Sequence, residues 1–126
     1  MSWASSLRVL WGRKRSFMEQ TLSLGPIIAK RDFMFIRADG SREAVTLSIG
    51  APFSGGGDDW VCPYLIKGDS FQRFFRMFGV DSMQALMLTL NILQDEMDTL
   101  ARKHAGAFQY LDGEDLMLVN LLQRST

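Results

Sequence analysis

The sequence predicts an α+β fold: an antiparallel sheet of three to four strands with one long helix packed on one face. Three observations predict it. Asp81 to Ala105 carries a 3.6-residue apolar period with signals at both ends, and Asp39-Gly40 divides two runs of strand-forming residues. The 126 residues are one domain's worth, and 47% hydrophobic with 11% aromatic content is enough for a sizeable core.

Taken in order, residues 1–17 read as a basic amphipathic N-terminal extension and residues 18–126 as a single α+β domain. Trp3, Leu7, Leu10 and Trp11 fall at helical spacing, with Arg8, Arg13, Lys14 and Arg15 around and after them. A secretory leader places its positive charges before a longer apolar core, and here the order is reversed. The stretch reads as a basic helix on a membrane or partner, as a terminal helix packing on the body, or as translated sequence upstream of a start at Met18. One short basic segment binds lipid weakly, which counts against membrane contact.

Ile27 to Ala38 and Glu43 to Ala51 form a hairpin about the favoured Asp-Gly turn pair. Val45, Leu47 and Ile49 alternate with Thr46 and Ser48, so that strand has one dry and one wet face. Phe33 to Ile36 is apolar on both faces, as in a more central strand. Pro52 ends the second strand, and the glycine-rich Ser54 to Asp59 is a flexible loop. Trp60 to Lys67 is a third strand, in which Pro63 demands an edge or a bulge.

Asp69 to Phe78 predicts a short helix, because Asp69 and Gln72 have capping spacing and Phe71, Phe74, Phe75 and Phe78 fall at i, i+3, i+4 and i+7. The long helix follows. Asp81 and Gln84 make a capping box, and Leu86, Leu90, Leu93, Met97, Leu100 and Ala101 form the apolar stripe. Met83, Met87, Leu88 and Ile92 add apolar surface outside that stripe, so the first half must be covered on more than one side. Lys103 and His104 suit the carbonyl end, and Gly106 suits a left-handed C′ position. Ala107 to Leu111 reads as a last strand before a turn at Asp112-Gly113, and Glu114 to Gln123 is apolar enough to pack.

Formal net charge is zero, yet all four bases of residues 1–17 precede the first acid, which leaves 10 bases against 14 acids from Met18 onward. A mildly acidic body argues against nucleic acid as the main ligand. One cysteine excludes an internal disulfide, and no apolar run reaches membrane-spanning length; a cytoplasmic, reducing location is the expectation.

Catalytic chemistry finds few carriers. Cys62 and His104 are the only residues of their types, which removes Cys/His zinc sites. Cys62 in a strand reads as a small hydrophobe and His104 as a helix-end residue, not as a nucleophilic pair. Asp58, Asp59, Glu114 and Asp115 lack the spacing of a calcium loop and read as solvated turn acids. The triple glycine has no following Lys-Ser/Thr, and its two aspartates would repel phosphate. No catalytic residue, metal or cofactor is therefore expected.

Trp60-Val61-Cys62-Pro63-Tyr64, Gly79-Val80-Asp81-Ser82-Met83-Gln84-Ala85-Leu86 and Gly113-Glu114-Asp115-Leu116 resemble a family of small bacterial proteins of unknown function. The resemblance covers Ile27 to Leu118 and implies a β-hairpin, a further strand, the helix and a short C-terminal piece. It supplies no catalytic residue, and the phenylalanine-rich segment and basic N-terminus look particular to this chain.

The expected function is a non-enzymatic binding protein, with an immunity-type antidote that covers a partner protein as its concrete form; an acidic body suits a basic partner. Two alternatives stand beside it. One is a small ligand-binding or enzymatic domain with a pocket near Trp60, Tyr64 and the Asp58-Asp59 loop, and the other a homo-oligomeric structural subunit joined through Met83, Met87 and Ile92. Asp58, Asp59, Trp60, Tyr64, Met83 and Met87 are thus the ligand or partner candidates.

Overall fold

In the computed structural model, which describes residues 23–55 and 57–119, one helix packs against an open antiparallel sheet of six strands. The expectations for residues 1–17, for Met18 and for the chain beyond Val119 lie outside the described residues. Strands β1 (Ile27–Arg37) and β2 (Arg42–Gly50) form the first hairpin. Gly40 takes φ 86°, its N–H bonds to the Arg37 carbonyl at 2.9 Å, and Asp39 accepts from the Ser41 N–H at 2.8 Å. Phe33 and Phe35 then face the helix side with Val45, Leu47 and Ile49, and all five are buried.

The two-residue strand β3 (Phe53–Ser54) and strand β4 (Trp60–Lys67) explain Pro63. β4 pairs with β2 from Lys67 to Tyr64 and with β3 at Val61 and Trp60. Pro63 falls in the gap between those two ladders, where its missing N–H costs no cross-strand bond to β2 or β3. The Cys62 thiol uses the same gap to reach the Gly50 carbonyl at 3.6 Å.

The expected short helix at Asp69–Phe78 is a strand, and this is the main correction. Gln72–Gly79 forms β5, paired with the whole of β4 from Lys67↔Gln72 to Trp60↔Gly79 across a turn closed by Gly68 N–H to Phe71 O at 2.9 Å. Phe71 is part of the turn and turns into the core, while the other three phenylalanines divide between the two faces of the strand. With β5 and β3 added to the four expected strands, the count rises from three or four to six.

Helix α1 spans Ser82–Lys103. Asp81 caps it by accepting from Gln84 N–H at 2.7 Å, and Gln84 reaches back one residue further than a standard box, to Val80 N–H at 2.7 Å. Its buried line is Ala85, Thr89, Leu93, Met97 and Leu100, rotated from the leucine-rich stripe so that Leu86 and Leu90 are only partly buried. Small residues decide that rotation. A Cβ on Gly79 would meet the backbone of Ala85, and Thr89 lies 3.4 Å from the Cys62 carbonyl, so α1 sits low on β4 and β5 at its first turns.

At the other end Ala105, not Gly106, takes the left-handed turn at φ 54°. Gly106 is needed for a different reason: a side chain there would run into the Phe35 ring and the Ile36 carbonyl as β6 (Gly106–Gln109) pairs with β1. The turn that follows is centred one residue earlier than expected, on Leu111 (φ 51°) and Asp112 (φ 64°). Arg31 then holds the descending chain by donating to the Leu116 and Met117 carbonyls at 3.2 and 2.7 Å.

The sheet order is β5-β4-β2-β1-β6, with β3 continuing the β2 edge of β4. Among the described residues β5 is therefore an open edge.

Candidate functional site

The surface that the fold leaves open runs along β5 and over the first turns of α1. Gln72–Gly79 pairs on one side only, which leaves half of its backbone N–H and C=O groups directed outward without a described partner. Phe75 is 38% and Phe78 51% exposed. Val80, 71% exposed, forms the corner, and Met83 and Met87 continue on the outward side of the helix, where they border an open depression of about 430 Å³ with Gln84, Leu88 and Asn91. Scattered single hydrophobes are normal on a surface, but here five large ones follow one another in sequence through a strand, a corner and a helix, with Phe75 on the helix face of β5 and Phe78 on the other, so that they flank the open edge from both sides.

The charges of this edge are all of one sign. β5 contains Arg73 and Arg76 and no acid. Arg73 is committed: its Nε donates to Glu96 at 2.8 Å, and Glu96 also accepts from the Tyr64 hydroxyl at 2.7 Å. Burial, then the Glu96 carboxylate, pushes the Tyr64 phenol up from its ordinary value, and the hydrogen bond from Arg73 to Glu96 raises Arg73 further. This triad joins β4, β5 and α1. Arg76 is different: its guanidinium lies 5.8 Å from the Phe75 and 5.6 Å from the Phe78 ring centre, and its buried Nε has no hydrogen-bond acceptor among the described residues.

The region around the β4–β5 turn and the end of α1 is closed. Phe35 packs edge-on against Phe71 and tilted against Phe108, and Phe71 stacks on His104 with 4.4 Å between ring centres. Above them Glu43 accepts from the Ser70 hydroxyl (2.6 Å), the Ser70 N–H (2.9 Å) and the Arg37 guanidinium. The two Ser70 bonds, with Arg37 beside them, lower the Glu43 carboxyl to about 2.

The residues singled out from the sequence do not converge. Tyr64 is fully buried with its hydroxyl spent on Glu96, Trp60 packs partly buried against the core, and Asp58 and Asp59 lie exposed in the loop before β4. Met83 and Met87 share the outward helix surface. Cys62 lies beside Thr89 near the helix start and His104 caps its end, 15 residues or roughly 22 Å along the axis. Burial also pushes the Cys62 thiol up, away from a reactive thiolate. Among the described residues no three His, Cys, Asp or Glu side chains are grouped to hold a metal, and no helix is long and apolar enough to cross a membrane.

A second cleft, of about 170 Å³, opens between the start of β1, the end of β2 and the middle of α1, with Ile49, Leu90, Leu93 and Leu118 in its wall. It is apolar, and its one guanidinium, Arg31, is held by the carbonyls of the chain that forms its rim.

Comparison with known families gives one match: the model of DUF6968, a domain of unknown function, aligns with residues 29–118. The chain belongs to this family. The DUF6968 match starts in β1 and ends in the segment held by Arg31, so it takes in the sheet, α1 and the open β5 edge together. No characterised protein and no solved structure matches the chain.

Phe75, Phe78 and Val80 are members of the open surface that the sequence reading assigned to a helix or to no role. A usable signal was present. Gln72 to Phe78 is rich in aromatic residues that favour strands, and it follows directly on a strand after a turn of four residues containing glycine.

Proposed function

We propose that this DUF6968 domain is a non-enzymatic binding protein that covers a partner protein, an immunity-type antidote being its concrete form. The observation that carries the reading is the run of exposed Phe75, Phe78, Val80, Met83 and Met87 beside an open strand edge. Aromatic residues and methionine are enriched where proteins meet, and truncating such anchors commonly costs more than 1 kcal/mol of binding. The buried side chains with acid-base or nucleophilic capacity favour the same reading, because Tyr64, Glu43 and Cys62, with the largely buried Glu96, are engaged in holding the fold.

The test is affinity purification of the tagged full chain from its native cells, with light scattering on the eluate, beside the Phe78→Asp and Met87→Asp variants. A single stoichiometric partner that both variants lose is the expected result. A monomer that captures nothing, or a partner retained by both variants, would overturn the reading; a homodimer lost in both variants would make the surface a self-interface instead.

A further inference from the structure

The β5 edge has a charge that selects its occupant. We propose that it accepts an extended, acid-bearing segment of another protein as an added strand, with Arg76 receiving a carboxylate; this rests on the partner-binding reading above and specifies which part of the surface is used and by what chemistry. An edge strand offers a ladder of backbone donors and acceptors, so the natural ligand is another strand, whose main chain supplies affinity and whose alternate side chains supply choice.

Three candidate occupants can be ranked by charge. The chain's own residues 1–17 carry four bases and no acid, and residues 120–126 carry Arg124 and no acid, so both would bring like charge to Arg73 and Arg76. A second copy pairing β5 with β5 would bring four arginines to one ladder, and like charges opposite one another across strands are destabilising. An acidic strand meets the opposite situation. Arg73 is already neutralised by Glu96, whereas Arg76 has no carboxylate among the described residues and holds its guanidinium beside two exposed rings. A carboxylate arriving there would form a charge-assisted bond in a partly desolvated place, where such bonds are worth most.

The same arginines guard the edge. Charged residues on edge strands prevent indiscriminate pairing, so Arg76 repels basic strands by the same charge that admits an acidic one, and a neutral strand leaves it unpaired. The domain's mildly acidic average therefore misdescribes its own docking edge: acids lie in turns, on the helix and, as Asp32 and Glu43, on β1 and β2, and none lies on β5.

The experiment is a selection from a displayed library of ten-residue peptides with random side chains, run on the full-length protein and on Arg76→Glu, with hydrogen exchange on the winning complexes. Arg76 makes no side-chain hydrogen bond to a described residue, so its reversal leaves the observed networks intact, and unchanged thermal unfolding of the variant checks this. Expected are winners enriched in Asp and Glu, slowed exchange at the amides of Gln72 to Gly79, and an affinity for those winners at least about tenfold weaker in Arg76→Glu, which selects Lys and Arg instead. Winners that slow β5 exchange but carry no acidic bias would overturn the charge assignment while leaving edge binding standing. Winners that protect α1 around Met83 and Met87 but not β5 would overturn strand addition and leave the partner-binding reading in place. No enrichment on either protein would remove both.

Discussion

Two strands carry paired phenylalanines and flanking arginines, and the fold treats them oppositely. On β1, Phe33 and Phe35 are sealed against Phe71 and Phe108, and Arg37 is held by Glu43 and Ser70. On β5, Phe75 and Phe78 are partly open, and Arg76 has no described acceptor. Composition does not distinguish them. Position does: β1 lies between β2 and β6 with the helix end and the β4–β5 turn closing over it, whereas β5 is one of the edge strands of the described sheet. A closed aromatic cluster stabilises the fold, and an open one is available to a partner.

The largest expected effect tests that difference directly. Phe35→Ala should destabilise by about 3–5 kcal/mol, because it removes a fully buried ring from a site whose walls, Phe71, Phe108 and the Gly106 backbone, are pinned by the sheet. Phe78→Ala should cost less than about 1 kcal/mol, since half of that ring already faces water. Urea midpoints of the two variants decide it, and equal losses would break the contrast.

Acid sharpens the same contrast from the polar side. The folded-state carboxyl of Glu43 is lowered to about 2 from an ordinary 4.5, first by Ser70 and then by Arg37. A depressed folded value means that its contribution is fully present above about pH 4.5 and is lost as the pH falls toward 2. Urea midpoints followed from pH 6 to pH 2 should therefore drop more steeply for the natural chain than for Glu43→Gln. Asp39, also lowered by its bonds with Ser41, is the control: Asp39→Asn should keep most of the slope. Parallel curves for the natural chain and Glu43→Gln would show that Glu43 does not hold the closed end.

How these regions could be read from sequence differs for the same physical reason. α1 was legible because its determinants are local: a cap at Asp81, a reciprocal Gln84, basic residues in the last turn. The first hairpin was legible through Asp39-Gly40 and the alternation of Val45, Leu47 and Ile49. β5 was not, because an edge strand flanked by water on one side has aromatics on both faces, and four phenylalanines at three- and four-residue steps imitate a helix. The helix rotation was hidden too, since Ala85 and Thr89 reach the core by being small enough for close approach rather than by being strongly apolar. For the open surface, Met83 and Met87 could be named from a helix that was apolar nearly all round, but Phe75 and Phe78 could not be placed beside them until their strand was known.

A smaller effect is expected where the helix hands over to the closed end. Ala105 holds φ 54°, a conformation that disfavours a side chain, while the glycine next to it is required for its contact with Phe35. Ala105→Gly should stabilise by about 0.5–1 kcal/mol by relieving that strain, less what the unfolded chain gains in freedom. A loss of stability in calorimetry would mean that the Ala105 methyl contributes packing that outweighs the backbone term.

The smallest effect is also the one that bears most on function. Met87 lies on the outward side of α1, more than half exposed, and Val80 is exposed further still at the corner. Replacing Met87 by Gln and Val80 by Thr keeps shape and helix or loop compatibility while removing apolar surface, so the double variant should unfold within about 0.5 kcal/mol of the natural chain. A core position cannot behave in this way, because removing apolar contact there always costs stability. If the double variant keeps its stability and loses its partner in the purification described above, the apolar run is retained for something other than folding. If instead it unfolds much more easily, these residues are covered within the chain itself, and the open side of the molecule is as closed as the β1 side.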